Sequence, residues 1–586
     1  MCGIFAYIGV KTNAASLVLE GLKSLEYRGY DSWGVAAKKN DGTLFIDKHT
    51  GKIGASTLPD MVSTIALGHT RWATHGGVTN ENAHPHSDCT KKIVVVHNGI
   101  VENFKTLKED LINKKHTFES ETDTEVLSHL LEQYTGEGLP AKDAMLRLFE
   151  TIKGLNAVIA FFPDSEEIIA MKNGSPLVIG RSDHEILLSS DVSAIIPYTN
   201  NVYYLEDYEM VLLTRNNISV FDNKGIILHP VFHKLDLGIE DISLGKFPSY
   251  MLKEIYEQPN ILHHIAQRPL EEIKKLSDVI ASSYGTYFVG CGTASYACLG
   301  GTYLFSKIAK RHVNACIASE FSYQEDFIKK GSLVIALSQS GETIEVTDSI
   351  KKAKQKGATI MAITNVEHST LYRQADHTFL LSAGPEKAVA STKAYTSKIA
   401  ILYRIACSLA GNDQYAITQL QKAADEVSRL YNESNIIHLL AKEIVNKDHI
   451  FVLGRGVSYS AALESSLKIK EVSYIHAEGF AGGELKHGVI ALIQKGTPVV
   501  IFNPSDETYE DMLSSAHEVK ARGGYIIGIS DKPNSVYDTY IEVKDCGDIT
   551  LIPNVVIAQL LGYFLAVEKG YDPDKPRNLA KSVTVK

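Results

Sequence analysis

The strongest constraint on this chain is a repeat within its C-terminal half. Gly290-Cys291-Gly292, at the end of the apolar run TYFVG, returns as Gly454-Arg455-Gly456 at the end of IFVLG. Ser340-Gly341-Glu342-Thr343, after VIALSQ, returns as Ser505-Asp506-Glu507-Thr508 after VVIFNP. GATIMAITN at 357–365 returns as GGYIIGISD at 523–531. Landmarks kept in order at an offset of roughly 165 residues point to two copies of one unit. In each copy short apolar runs alternate with long helical segments, the pattern of a doubly wound parallel α/β sheet. The copies are expected at 261–430 and 431–575, followed by a tail at 576–586.

Residues 2–238 read differently. Runs such as GIFAYIGV, VVVHNGIV, AVIAFF and EILLSSD are separated by turn signals, with helical stretches around 14–26 and 121–134 among them. Many strands with few helices predict a layered α+β domain. Between the halves, 239–260 combines Gly, two Pro and mixed polarity, and is expected to be a connection. A chain of 586 residues is in any case too long for a single core.

Bulk chemistry narrows the function. Net charge is −10 with no long basic run, which argues against nucleic acid as a partner. No uninterrupted apolar run reaches the length of a membrane span and the start does not read as a signal peptide, so a cytoplasmic protein without a membrane partner is expected. The seven cysteines, at 2, 89, 291, 298, 316, 407 and 546, include no CxxC pair. Neither a disulfide framework nor a zinc site is expected from them. His84 and His86 alternate, but Pro85 lies between them and no further matching ligand is evident, so no metal or other cofactor is expected.

Cys2 follows the initiator Met, whose removal leaves it at the terminus. A terminal α-amine has a pKa of about 7.7–8.0 and can accept a thiol proton near neutrality. Alone this is a weak signal. Its surroundings carry more: Cys2-Gly3-Ile4, Tyr27-Arg28-Gly29-Tyr30-Asp31-Ser32, the run from Gly68 to Gly76, Asn82-Ala83-His84-Pro85-His86, His97-Asn98-Gly99 and Thr122-Asp123-Thr124. Singly these have ordinary readings, since HNG is a common turn and Arg71 with Asp123 could be an ion pair. Together they resemble the class II glutamine amidotransferases. That resemblance implies a four-layer αββα N-terminal-nucleophile fold with Cys2 as nucleophile on the glutamine amide. Asn98 and Gly99 would donate to the oxyanion, Arg71 would hold the α-carboxylate and Asp123 the α-ammonium. Trp72, Thr74 and His75 would complete the glutamine site, with Trp72 also gating ammonia passage.

In the second half, Ser338-Gln339-Ser340-Gly341-Glu342-Thr343 joins a strand to a helix. A helix N-terminus with flanking hydroxyls favours phosphate, although a simple Ser-capped helix reads the same way. This turn, with Cys291-Gly292-Thr293 and Val389-Ala390-Ser391-Thr392-Lys393, resembles the SIS (sugar isomerase) family. The resemblance implies a sugar-phosphate pocket of Thr293, Ser338, Gln339, Ser340, Thr343, Val389 and Ser391. In the second copy Pro504 and Asp506 occupy the turn, and an acidic group repels phosphate, so only the first copy is expected to bind it.

Glu464, Lys468 and Glu471 share one helical face, a spacing that on most helices is a solvated pairing of little worth. By resemblance Glu471 would move a proton between sugar C2 and C1, with Lys468 assisting. His487 would help open the sugar ring, reaching the neighbouring chain of a homodimer, and Lys581 would form a Schiff base with the ketone. Both resemblances together imply glutamine and fructose 6-phosphate as substrates and glucosamine 6-phosphate as product. A sugar-phosphate deaminase has no need of the first half, and a phosphosugar-binding regulator would tolerate loss of Glu471, His487 and Lys581, all of which are present. Ala294, Val489 and Trp33 depart from the commoner pattern at their positions.

Overall fold

The computed structural model describes residues 2–235 and 243–583. Part of the expected connection and the last three residues of the tail lie outside the described residues. The chain forms two compact units, 1–243 with 580–586, and 244–579.

In the first unit two antiparallel sheets are stacked. The eight-stranded one runs in the order His233–Lys234, Asn201–Tyr204, Val178–Arg181, Glu185–Ser189, Gly3–Gly9, Ile65–Arg71, Ser32–Lys38 and Leu44–Thr50. The seven-stranded one is centred on Glu167–Asn173, Asn156–Phe162 and Val94–Gly99. Strand side chains alternate between faces. Ile4, Ala6 and Ile8 therefore enter the core between the sheets, with Val94, Val96, Ile159 and Phe161 opposite. Phe5 and Tyr7 face the other way, onto Val18, Leu19 and Leu22 of the helix Ala14–Leu25. Behind the second sheet, Val95 and Val158 pack on Leu127, Leu131, Met145 and Leu148 from the helices Glu125–Gly136 and Ala141–Thr151. The result is the four-layer αββα arrangement. The first of these rear helices begins at Glu125 rather than 121, leaving Thr122–Thr124 as a loop at its N-terminal end.

In the second unit each copy of the repeat forms a five-stranded parallel sheet. The first runs Asn314–Ile317, Gly285–Gly290, Ser332–Ser338, Thr359–Thr364, His377–Leu380; the second runs His476–Ala481, His449–Gly454, Pro498–Phe502, Tyr525–Ser530, Thr539–Glu542. In both, the strand entering second stands at the edge beside the first. The order thus reverses between Gly285–Gly290 and Ser332–Ser338, and the carboxyl end of such a reversal is where ligands bind in open α/β sheets. One continuous core joins the copies, with Ala297, Phe305, Leu402, Ala461, Ile469, Ile557 and Leu561 in a single cluster. The stretch Gly547–Glu568 is long and apolar enough to cross a membrane, with mean hydropathy 1.8, but its most apolar window is 94% buried inside the protein. Its hydrophobicity is that of a helix packed on all sides.

The connection expected at 239–260 is cut short by a helix, Tyr250–Gln267, capped by the Ser249 hydroxyl on Leu252 N–H at 3.2 Å. Proline inside a helix forfeits a hydrogen bond to the carbonyl four residues back. Here the Ile255 carbonyl facing Pro259 accepts instead from Gln258 Nε2 at 3.1 Å and from the Tyr431 hydroxyl. Pro259 is tolerated because buried donors replace the missing one.

Candidate active site

Cys2 precedes the central strand Gly3–Gly9, which lies between Ile65–Arg71 and Glu185–Ser189. Its sulfur accepts the Trp72 N–H at 3.3 Å, and its carbonyl accepts Asn98 Nδ2 at 3.1 Å and Arg28 Nε at 3.3 Å. Arg28 is held by Asp191 at 3.0 Å, and the same carboxylate accepts the Tyr27 hydroxyl at 2.7 Å. Asp31 accepts the Ala73 N–H at 2.8 Å. The YRGYDS run therefore buttresses the residue that precedes the strand and the loop after Arg71. Burial pushes the Cys2 thiol up, against the pull of the Trp72 N–H, Arg71 and Arg28. A thiol held protonated in this way needs a nearby base before it can attack.

The orientation of Asn98 is set from behind. His69 Nε2 faces two acceptors, the His97 carbonyl at 2.9 Å and Asn98 Oδ1 at 3.2 Å, so Nε2 carries the proton. Burial pushes the His69 pKa down to about 3, which keeps the ring neutral. With Oδ1 on His69, the Asn98 amide nitrogen is turned to the Cys2 side, and its second proton remains for an oxyanion. His69 stacks on His84 at 4.0 Å, and His84 meets His86 edge-on at 4.8 Å. His86 contacts the Thr122 hydroxyl at 3.1 Å, and His97 contacts Thr124 at 3.0 Å and Asn156 at 2.9 Å. Burial lowers all of these imidazoles, so the NAHPH histidines belong to a neutral polar layer beneath the site.

Gly99 follows at φ +142°, where an added Cβ would lie 2.3 Å from the Leu155 carbonyl and 2.8 Å from His97 Nε2. Only glycine adopts that conformation without strain. Gly99→Ala is expected to cost about 1–3 kcal/mol. Urea unfolding followed by tryptophan fluorescence checks this, since both tryptophans, Trp33 and Trp72, lie in the first unit. An unchanged midpoint would contradict the strain argument.

Arg71 donates to the carbonyls of Gly77 at 3.0 Å, Gly76 at 3.2 Å and His75. Asp123 accepts the Val101 N–H at 2.7 Å. Among the described residues the two form no ion pair with each other, so the simplest bland reading fails. Trp72 is half-buried, Thr74 is exposed, and His75 sets its ring against Phe104 at 5.2 Å. The guanidinium thus shapes the loop carrying Trp72, Thr74 and His75.

In the second unit, Cys291-Gly292-Thr293 and Ser338–Thr343 leave the two strands at the order reversal. The Ser338 hydroxyl accepts the Gly341 N–H at 3.0 Å and meets Thr343 Oγ1 at 3.2 Å. Gly341 has φ +68°, and a Cβ there would lie 2.0 Å from Ser369 Oγ, so the turn requires glycine. Ser340 and Gln339 complete the turn, Ser340 Oγ accepting Glu342 N–H at 3.2 Å and the Gln339 carbonyl accepting Asn365 N–H at 3.1 Å. The helix Ile344–Gln355 follows directly. In the second copy, Asp506 accepts the Thr508 N–H at 2.8 Å and its hydroxyl at 2.7 Å. A carboxylate already stands at that helix entrance. On the remaining pocket loop, Val389 N–H donates to the Asp574 carbonyl at 3.0 Å, and Glu386 gathers the Ser391 hydroxyl at 2.9 Å and the Thr392 N–H at 2.9 Å.

The helix Val457–Ser473 brings its charged face to Thr293 of the first copy. Lys468 Nζ lies 2.5 Å from Glu471, 3.5 Å from Glu464 and 3.0 Å from the Thr293 hydroxyl, which also meets Glu464 at 3.2 Å. Lys468 and Glu464 are fully buried and the Glu471 side chain is 19% exposed, so this is not a solvated surface pairing. Burial pushes the Glu464 carboxyl up to about 7, reinforced by Glu471 and opposed by Lys468. Burial pulls Lys468 down, but Glu464 and Glu471 outweigh it and hold the ammonium above its ordinary value. Two carboxylates around one ammonium form a centre that can exchange a proton near neutrality.

His487, exposed, ends the 3₁₀ turn Gly482–His487, and among the described residues it forms no hydrogen bond or ion pair with Lys468, Glu464 or Glu471. Lys581 lies in the terminal segment that belongs to the first unit. The start of the tail is fixed in the second unit, where Arg577 N–H donates to the Tyr474 hydroxyl at 2.7 Å and the guanidinium lies 4.2 Å over that ring. His69, Glu386 and Tyr474 were not marked by the sequence as site residues. His69 stood within a quoted motif, but its partner is the side chain of Asn98, a pairing no local spacing reveals.

Comparison with known proteins agrees with both halves. The glutamine amidotransferase domain model matches residues 48–227, and the SIS domain model matches 280–407 and 443–543. The chain is 41% identical to the glutamine–fructose-6-phosphate aminotransferase [isomerizing] of Thermococcus kodakarensis and 39% identical to that of Methanothermobacter thermautotrophicus, with all of each chain covered. Among solved structures, the C-terminal domain of glucosamine-fructose-6-phosphate aminotransferase from Francisella tularensis is 33% identical with a TM-score of 0.54, covering 57% of this chain and 99% of that one. This chain is an enzyme and belongs to the family of glutamine–fructose-6-phosphate aminotransferases (isomerizing).

Proposed function

We propose that the chain makes glucosamine 6-phosphate and glutamate from fructose 6-phosphate and glutamine, with Cys2 as nucleophile and Glu471 as proton carrier. The observation that carries this reading is the pairing of two sites in one sequence. One has a half-buried thiol beside an oriented carboxamide; the other has a buried Glu–Lys–Glu centre on the SIS unit that also carries a hydroxyl-rich helix entrance.

In the first step the terminal amine removes the Cys2 proton and the thiolate attacks the glutamine amide. The Asn98 amide and Gly99 N–H receive the oxyanion, while Arg71 and Asp123 hold the α-carboxylate and α-ammonium, with Trp72, Thr74 and His75 around them. Hydrolysis of the thioester releases glutamate, and Trp72 guards passage of the ammonia. In the second step Ser338, Gln339, Ser340 and Thr343 hold the phosphate, with Thr293, Val389 and Ser391 around the sugar. His487 assists ring opening, and Lys581 condenses with the C2 ketone before ammonia displaces it. Glu471 takes the proton from C1 and returns it at C2, with Lys468 beside it to stabilise developing charge. The exposed position of His487 supports a homodimer in which it serves a neighbour's sugar site.

The test supplies glutamine labelled with ¹⁵N in its amide together with fructose 6-phosphate. Glutamate and glucosamine 6-phosphate are expected in equal amounts, with the label in the amino sugar. Glutamate accumulating without labelled amino sugar would refute the coupled reaction.

A further inference from the structure

We propose that Cys89, His116, His129 and Glu132 form a structural zinc site in the first unit. The four residues come from three separate segments. Cys89 follows the short strand His86–Ser87, His116 lies just beyond the helix Phe104–Asn113, and His129 with Glu132 stands on one face of Glu125–Gly136. Their donor atoms nevertheless converge, all lying within 4.8 Å of one another.

The separations are those a tetrahedral ion imposes. With Zn–S of about 2.3 Å and Zn–N or Zn–O of about 2.0–2.2 Å, tetrahedral angles place sulfur about 3.5 Å from nitrogen, and nitrogen about 3.4 Å from oxygen. Cys89 Sγ lies 3.5 Å from His129 Nδ1 and 3.8 Å from His116 Nδ1. Glu132 Oε2 lies 3.2 Å from His129 Nδ1 and 2.8 Å from His116 Nδ1. Of these four contacts the last departs most, and it must open by roughly half an ångström. Both imidazoles turn the same ring nitrogen, Nδ1, toward the thiol and the carboxylate, so one potential donor atom of each group faces the others.

Groups around the cluster are placed as outer partners of metal ligands usually are. The Thr117 N–H donates to Cys89 Sγ at 3.5 Å, as it would to a thiolate. The far nitrogen of His129, Nε2, is 3.6 Å from Glu125 Oε1 in a buried carboxylate–histidine pair, and Glu125 is itself fixed by the N–H groups of Glu119 and Ser120 at 2.7 Å each. A sulfur, two imidazoles and one carboxylate suit zinc rather than magnesium or calcium. Four protein ligands complete a tetrahedron and leave no position for substrate, so the role is structural. The ion would clip the 89 turn and the 116 turn to the helix that follows Thr122–Thr124. Asp123, the proposed partner of the glutamine ammonium, sits in that loop.

The competing reading is a hydrogen-bonded polar cluster with an exposed thiol, and metal content separates the two. The full-length protein is produced with zinc in the medium, dialysed, and assayed by inductively coupled plasma mass spectrometry beside Cys89→Ala and His116→Ala. About one zinc per chain is expected in the parent, falling at least tenfold in both variants. Chelator-treated parent protein, titrated with Co²⁺ alone, should develop tetrahedral visible bands with a sulfur-to-metal band, and its melting temperature should rise on binding. This arm does not depend on any variant folding. Parent protein with under about a tenth of a zinc per chain and no tetrahedral cobalt spectrum would overturn the proposal. So would folded variants that keep the parent's zinc content.

Discussion

Cys2→Ala is expected to lower glutamine-dependent formation of both glutamate and glucosamine 6-phosphate by on the order of 10⁴-fold or more. The thiol is the group that forms the new bond to the amide carbon, so nothing in the variant replaces it. The losses for the neighbouring groups should be smaller. Removing one oxyanion donor, as in Asn98→Ala, costs about 10²–10³ in rate. His69 should act only through Asn98. Because His69 is neutral and donates through Nε2, its loss would free the amide to rotate without removing it. The Cys2→Ala variant should fold normally: the thiol is half-buried, and the hydrogen bonds that anchor the residue run through its carbonyl to Asn98 and Arg28. Amino sugar formation from free ammonium and fructose 6-phosphate should therefore persist. Measuring both products with glutamine and with ammonium separates the half-reactions. A variant retaining glutamine-dependent turnover would place the nucleophile elsewhere.

Much of the architecture was legible because it repeats. The echo of Gly290-Cys291-Gly292 and its companions became two sheets with the same strand order. In the first half, unbroken apolar runs such as GIFAYIGV marked strands, and in the structure Ile4, Ala6 and Ile8 face one side with Phe5 and Tyr7 on the other. What stayed hidden depends on partners distant in sequence. Pro259 read as a break because the hydroxyl of Tyr431, which helps satisfy the carbonyl left without its helical donor, is far along the chain. The helix Leu551–Glu568 was not singled out as a core element, although its apolar stretch is nearly all buried. Motif order pointed to Cys2, Asn98 and Asp123, and the structure adds how each is oriented. Glu464 was visible as one member of a helical face, yet only its contact with Thr293 of the other copy shows why it is sealed from water. The Cys89 cluster left no trace, because its ligands come from three segments without a CxxC or a histidine pair at metal-binding spacing.

Lys468→Met is expected to destabilise the second unit by about 3–5 kcal/mol at neutral to alkaline pH. The substitution keeps an unbranched side chain one atom shorter but removes the charge that holds Glu464 and Glu471 together. Two carboxylates, one fully buried, then face each other without a counter-ion, and one can escape the penalty only by taking up a proton. Glu464 is the group disposed to do so, since burial already pushes its pKa up to about 7. The direction of the pH dependence follows. A carboxyl whose folded pKa is raised contributes its full stability below the unfolded value of about 4.3 and loses it as pH climbs through the folded value. The variant should accordingly be much closer to the parent at about pH 5.5 than at about pH 8, and Lys468→Met combined with Glu464→Gln should recover part of the loss at the higher pH. Urea unfolding monitored by far-ultraviolet circular dichroism reads both units, so the transition that shifts in the variant is assigned to the second. Tryptophan fluorescence serves as an internal control, because Trp33 and Trp72 both report on the first unit and their transition should not move. A Lys468→Met penalty equal at both pH values would show that Glu464 does not carry the shared proton. A penalty below about 1 kcal/mol would show that water reaches the centre and screens it.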